Sequence, residues 1–531
     1  MQRVAAWSLI FGLSLCSGAA LDAQEQHPAV PVQPAQAQTQ AQSPDQHKDT
    51  DKDNAPIPPE KQSVTHHQMT LGGKTLKYTA TAGTLLIRDE EEKPYGSIFY
   101  VAYTLDGADA NARPVSFLYN GGPGSATLWL HMGSFSPVRV QTDSPNPTAG
   151  PPFKLIPNED SLLDKTDLVF IDAPLTGYSR AVGKGTAKDF TGVDQDLRAF
   201  DRFIVRYVTV NQRWNSPKFL IGESYGTTRS AALADTLAND GVQLNGVVLI
   251  SSILNYNVRA PGYDSIYVFN LPSYAAAAWY FDKIPNKPAD LAGWVQEARA
   301  FASGPYAQAL FAGDTLSAPQ VDEIAKQVSH FTGLSADYVK EANLRISPIR
   351  FRKEVLRDDR KTLGRYDMRF EGVDVDAAGE FPSYDASDTG ISGAFVAAFH
   401  DYLTGELKYD TTDEYRPSAN TIREWDWKHK PTSGTPGPGN GEQSQPYVAA
   451  DLASAIRKNP HLHVFSANGY FDLATPFLAT EYDLDHMDLD PGLRGNVQFG
   501  YYPSGHMIYL NVDALHKLKA DLAAFITNST K

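Results

Sequence analysis

Ile221-Gly222-Glu223-Ser224-Tyr225-Gly226 is the stretch on which the reading of this chain turns. The apolar run 218–221 has the length of a short buried strand, and 228–237 has helical composition. Between them stands G-x-S-x-G. Its two glycines permit a strand-to-helix turn too tight for a Cβ, and that turn lifts the serine hydroxyl clear of the backbone. A neutral serine is a weak nucleophile. It needs a base, and the base needs a third group to orient it, so the pentapeptide predicts a histidine and an acid further along the chain. With 40 glycines in 531 residues the pentapeptide says little by itself, and its context carries the weight.

Upstream, 115–119 and 168–171 are short apolar runs that end at Asn120-Gly121-Gly122-Pro123-Gly124-Ser125 and at Asp172-Ala173-Pro174. Residues 194–208 carry Leu197, Phe200, Phe203, Ile204 and Tyr207 at helical spacing, and 247–251 is the next buried strand. Alternating strands and helices predict an α/β fold with a mixed, mostly parallel sheet flanked by helices. Hairpins around Gly72-Gly73 and a strand at 97–104 predict an antiparallel N-terminal edge.

From 261 to 445 helical patterns dominate, at 274–281, 289–301, 318–331 and 336–343, and this stretch reads as an inserted, mainly helical cap. Its basic cluster, Arg350, Arg352, Lys353, Arg357, Arg360, Lys361 and Arg365, reads as a solvated face. Core rhythm resumes with a strand at 463–466. The organisation expected is a signal peptide at 1–23, a disordered Gln/Pro/Ala-rich linker at 24–62, a core at 63–260 and 446–531, and the cap between them.

Two residues answer the demand for a base and an acid. Asp472 follows a strand in Asn468-Gly469-Tyr470-Phe471-Asp472, and His506 follows an aromatic run in Pro503-Ser504-Gly505-His506-Met507. Each type is common in turns for other reasons, but here both stand at strand ends and follow the serine in the order Ser, Asp, His.

The bulk composition excludes some functions. A net charge of −15 leaves no basic footprint for nucleic acid. Arg3 followed by an apolar run at 4–15 and small residues up to Ala20 is a secretory signal pattern too short to span a bilayer, which predicts a periplasmic or secreted protein with no membrane-spanning segment after processing. The single cysteine, Cys16, lies inside that segment, so no disulfide is expected in the mature chain. His66-His67 and His461-x-His463 lack further ligands, and Asp483, Asp485, Asp488 and Asp490 break the calcium-loop pattern and read as a solvated acidic loop. No metal and no cofactor are expected. The oligomeric state has no signature in the sequence.

Taken together, Asn120-Gly121-Gly122-Pro123-Gly124, Gly222-Glu223-Ser224-Tyr225-Gly226, Gly469-x-x-Asp472-x-x-x-Pro476 and Gly505-His506-Met507 resemble the signature blocks of the serine carboxypeptidases, in family order. The resemblance implies an α/β-hydrolase fold with a cap, and release of C-terminal residues from peptides. It implies that Ser224, Asp472 and His506 are catalytic, that Gly122 and Tyr225 supply oxyanion N–H groups, and that Asn120, Gly121 and Glu223 hold the substrate carboxylate. Glu223 would have to be protonated, since only an acid can donate a hydrogen bond to a carboxylate. The chain departs from the family where relatives carry a second glutamate and it has Ser134, a tryptophan and it has Leu118, and a cysteine and it has Ser125. An esterase or acyltransferase using the same triad therefore stays open beside the peptidase. A third alternative, a binding protein on an inactivated scaffold, finds no lost triad position to support it.

Overall fold

The computed structural model describes residues 55–419, 422–432 and 441–531. The signal segment and most of the linker lie outside these residues. In chain order the strands are β1 (Gln62–Leu71), β2 (Lys74–Arg88), β3 (Pro94–Leu105) and β4 (Val115–Tyr119), a small pair β5 (Val138–Val140) and β6 (Leu155–Pro157), then β7 (Asp167–Ile171), β8 (Arg180–Ala181), β9 (Lys218–Glu223) and β10 (Gly246–Ile250). A second small pair, β11 (Lys361–Leu363) and β12 (Glu371–Val373), precedes β13 (His463–Gly469) and β14 (Val497–Tyr502).

The main sheet runs β1-β2-β3-β7-β4-β9-β10-β13-β14, with β8 paired to β3. From β1 to β7 the neighbours are antiparallel, and from β7 to β14 they are parallel. The β1–β2 hairpin turns at Gly72-Gly73, both with positive φ, as its sequence predicts. The parallel strands β4, β9 and β10 are buried on both faces, which is why their sequences are mostly apolar runs without regular polar alternation.

Alternation still sorts their side chains. Val248 and Ile250 of β10 and Phe219 and Ile221 of β9 pack into one core, with helices Ser392–Gly405 and Val512–Ser529. Val247, Leu249 and Leu220 pack into the other, with helices Val193–Val210, Tyr225–Asn239 and Ala449–Lys458. Each such buried aliphatic side chain contributes about 1.5–3 kcal/mol.

The stretch 261–445 does not pack as one body. Tyr274, Trp294, Phe301, Phe331 and Phe351 form an apolar cluster of their own, joined by Phe471 and Phe477 from the sheet's edge. Phe395, Phe399 and Tyr402 instead belong to one sheet core, and Trp425 to the other. Helical periodicity reports that a face is buried but not against what.

The basic cluster expected as a solvated face is corrected. Arg352 and Lys353 are buried, Lys353 Nζ pairs with Asp374 at 2.7 Å, and Arg352 Nε donates to the Leu363 carbonyl at 2.8 Å. Arg350, Arg357 and Lys361 pair with Glu380, Glu354 and Glu371. The acidic loop is corrected in part. Asp483 is buried at the end of helix Phe477–Asp485 and accepts from Asn255 at 3.3 Å, and burial pushes its carboxyl up to about 7. Among the described residues no helix is long and apolar enough to cross a membrane.

Candidate active site

The carboxyl ends of β4, β9, β13 and β14 lie along one edge of the sheet, because all four strands run parallel. The loops that follow them carry Asn120 to Gly122, Ser224, Asp472 and His506, so residues far apart in sequence converge at that edge.

Ser224 has φ 60° and ψ −129°, a left-handed conformation that a non-glycine residue adopts only when its surroundings impose it. The surroundings here are two glycines. A Cβ on Gly222 would lie 2.2 Å from the Gly226 carbonyl oxygen, and one on Gly226 would lie 2.9 Å from the Tyr119 carbonyl oxygen. The helix begins immediately at Tyr225, whose N–H is one of the orphan donors of a helix start. Gly121 packs so closely that a Cβ would sit 2.3 Å from the Tyr225 nitrogen, which sets Gly122, φ 105°, beside the same helix start.

Asp472 Oδ2 faces His506 Nδ1 at 2.8 Å, with both side chains buried. The carboxylate is held from several directions. Its Oδ1 accepts from the Ala474 and Thr475 N–H groups at 2.8 and 3.0 Å, and its Oδ2 from the Thr475 hydroxyl at 2.7 Å. The histidine backbone is fixed too. Its N–H donates to the Tyr366 carbonyl at 2.6 Å, its carbonyl accepts from Ser251 at 2.6 Å, and the Tyr366 ring lies 5.2 Å from the imidazole. Burial by itself would lower the His506 pKa, but the charge and hydrogen bond of Asp472 outweigh it and the pKa is raised. No hydrogen bond links Ser224 to His506 among the described residues, a looseness common in sites without substrate.

Asn120 and Glu223 lie beneath this surface, 3% and 2% exposed, and bond to each other: Asn120 Nδ2 donates to Glu223 Oε1 at 2.7 Å. The Asn120 side-chain oxygen accepts from the Leu130 N–H at 2.9 Å. Burial raises Glu223 to about 7, with His506, Tyr509 and Asn120 acting against the rise. The Tyr509 phenol lies against this carboxyl. Ser134 offers no second acid and no free hydroxyl, since it is buried and donates to the Leu130 carbonyl.

A cavity of about 560 Å³ opens over Ser224. Gly122, Ser224 and Tyr225 form one wall, and Tyr256, Arg259, Arg365, Tyr366, Trp427 and Thr475 contribute to the others. The structure thus brings the expected triad and Gly122 and Tyr225 to one place, while Asn120 and Glu223 stand behind them.

Sequence reasoning missed the supports. Arg229, fully buried, clamps Asp196 through Nε and Nη2 at 2.7 and 3.0 Å and gives Nη1 to the Asn120 carbonyl at 2.9 Å. Its signal was an arginine in the first turns of a helix rich in small and apolar residues. Thr475 was readable as a hydroxyl three residues past Asp472. Arg259, Arg365 and Trp427 come from distant segments and had no local signal.

Sheet order, flanking helices and the loop set at the strand ends define an α/β-hydrolase fold. Residues 73–277 match the family model described as serine carboxypeptidase. Pheromone-processing carboxypeptidase KEX1 of Saccharomyces cerevisiae is 30% identical over 159 residues, which is 28% of this chain and 21% of the relative. The match thus spans about a fifth of the curated relative's length. The solved structure of Kex1(Δ)p, a prohormone-processing carboxypeptidase from Saccharomyces cerevisiae, resembles this one with a TM-score of 0.51 at 16% identity, over 85% of this chain and 91% of that one. At that identity the likeness is one of fold.

Proposed function

We propose that the chain is a serine carboxypeptidase that releases C-terminal residues through an acyl-enzyme on Ser224. The observation that carries the reading is a buried, fully oriented Asp472–His506 pair at the same strand-end edge as a serine held at positive φ, beside a cavity walled by Gly122 and Tyr225. The family-model match over residues 73–277 and the printed activity of the yeast relative support it.

In this reading His506 Nε2 takes the Ser224 proton as Oγ attacks the scissile carbonyl. Asp472 holds the tautomer with the proton on Nδ1 and stabilises the imidazolium that forms. The developing oxyanion takes hydrogen bonds from the Gly122 and Tyr225 N–H groups, each worth about 3 kcal/mol in the barrier. The imidazolium then protonates the leaving amine, and water repeats the sequence on the acyl-enzyme. Asn120, Gly121 and Glu223 are proposed to hold the substrate's terminal carboxylate, with Glu223 protonated below about 7. The signal pattern at 1–23 supports export to the periplasm or beyond.

A second reading, an esterase or acyltransferase on the same triad, is favoured by one feature: Glu223 has no acidic partner, because Ser134 stands in that place with its hydroxyl already committed. N-blocked dipeptides, their C-terminal amides and N-blocked amino-acid esters, assayed from pH 4 to 8 with wild type and Ser224→Ala, separate the two. Release of the C-terminal residue from free dipeptides, lost in the variant, supports the carboxypeptidase. Ester turnover without peptide turnover favours the second reading, and equal activity of Ser224→Ala would sink both.

A further inference from the structure

Arg259 and Arg365, both solvent-exposed, line the cavity over Ser224. Neither forms an ion pair with a carboxylate among the described residues. Arg259 gives Nη2 to the Ala474 carbonyl at 2.6 Å. Arg365 lies 5.3 Å from the Tyr366 ring, and the acid beside it, Asp385, is taken by the Arg365 backbone N–H at 2.9 Å and by Ser387. Asp472, the acid that acts on Arg259, is fully engaged by Ala474, Thr475 and His506. Arg365 acts on Arg259 as a like charge, so the two cations are near enough to repel. Of the neighbours of Arg365 in sequence, Arg350, Lys353, Arg357 and Lys361 have acidic partners.

Two like charges turned into one cavity without a counter-charge are a site for an anion. Their position says which part of a substrate brings it. The leaving amine must take its proton from His506 Nε2, so the leaving residue lies on the imidazole's side of Ser224. Both arginines hang from segments that hold that imidazole. Arg365 precedes Tyr366, whose carbonyl accepts the His506 N–H, and Arg259 is bonded to the turn that carries Asp472 and Thr475.

We propose that Arg259 and Arg365 bind a carboxylate carried by the leaving residue of the substrate, either its terminal carboxylate or an acidic side chain. This rests on Ser224 being the nucleophile. The pair would supply from the cavity wall the charge recognition for which Glu223 lacks its usual acidic partner.

The test measures binding, so it does not depend on turnover. Four N-blocked dipeptides, Ala-Ala, Ala-Ala amide, Ala-Glu and Ala-Gln, are titrated calorimetrically into Ser224→Ala with and without Arg365→Gln or Arg259→Gln, and with Arg365→Lys as a charge-retaining control. Each Gln substitution is expected to weaken carboxylate-bearing peptides about tenfold or more, as loss of a charge-assisted hydrogen bond does, with Arg365→Lys recovering part of the loss. A loss shared by Ala-Ala and Ala-Glu but absent for the amide assigns the terminal carboxylate. A loss confined to Ala-Glu, with Ala-Gln and Ala-Ala unchanged, assigns the side chain. Equal affinities in all backgrounds, or an equal loss for the amide, would overturn the proposal. Continued hydrolysis by Ser224→Ala would strike instead at the serine mechanism, and the two failures are distinguishable.

Discussion

Among the described residues are two buried histidine–aspartate assemblies made of the same parts. His506 has one acid, Asp472, on Nδ1, and its Nε2 has no hydrogen-bond partner among the described residues. His429 is bound at both nitrogens, Nδ1 to Asp194 at 2.7 Å and Nε2 to Asp451 at 3.1 Å. Burial alone would lower His429, but the two acids raise it to about 9, so it stays a cation through neutral pH and has no free lone pair. The first arrangement can accept a proton and pass it on. The second is a clamp, tying the segment after Trp427 to helices Val193–Val210 and Ala449–Lys458. What separates base from strut is the number of acids and an open nitrogen.

The largest effect expected follows from the first assembly. Ser224→Ala should lower kcat on N-blocked peptides by 10⁴-fold or more, and Asp472→Asn by about 10⁴-fold, through loss of the correct tautomer. Thermal unfolding should show Ser224→Ala to be about as stable as wild type, because alanine carries the same Cβ into the same positive φ.

The second assembly should respond in the opposite sense. His429→Leu leaves Asp451 buried beside an apolar group and should cost about 3–5 kcal/mol in denaturant unfolding, with kcat/KM of the folded fraction unchanged. A loss of activity at full stability would erase the distinction between the two.

Their pH behaviour sharpens it. The folded pKa of His429 is raised from 6.5 to about 9, so its contribution is fully present below 6.5 and is lost as pH rises through 9. The size is on the order of 3 kcal/mol. Wild type should lose stability over that window and His429→Leu should lose less, as unfolding at pH 6, 8 and 9.5 would reveal.

The smallest effect concerns Glu223. Its pKa is raised to about 7, so above that pH it ionises and, in the proposed role, would repel a substrate carboxylate. KM for free dipeptides should rise about tenfold between pH 6 and 8, and Glu223→Gln should flatten the rise. An unchanged pH profile in that variant would remove Glu223 from carboxylate recognition.

Much of this was legible in the sequence, for a physical reason. Parallel strands buried on both faces are mostly apolar runs, and the residues after them stand in turns marked by glycine, so β4, β9, β10 and β13 and the candidates Ser224, Asp472 and His506 could be read locally. What escaped depends on who packs against whom. Arg352 and Lys353 resembled a solvated face because a sequence does not announce that Asp374 will meet one of them. Arg259 and Arg365 lie 106 positions apart and meet only in the fold. His429 carried no signal, since its partners Asp194 and Asp451 come from two separate helices.

The central claim is that Ser224 is the activated nucleophile. A fluorophosphonate probe followed by peptide mass spectrometry tests it most directly. The expected result is one adduct, on the peptide carrying Gly-Glu-Ser-Tyr-Gly, absent in Ser224→Ala and strongly slowed in His506→Ala. Labelling of Ser224→Ala at the wild-type rate, or an adduct on another serine, would contradict it.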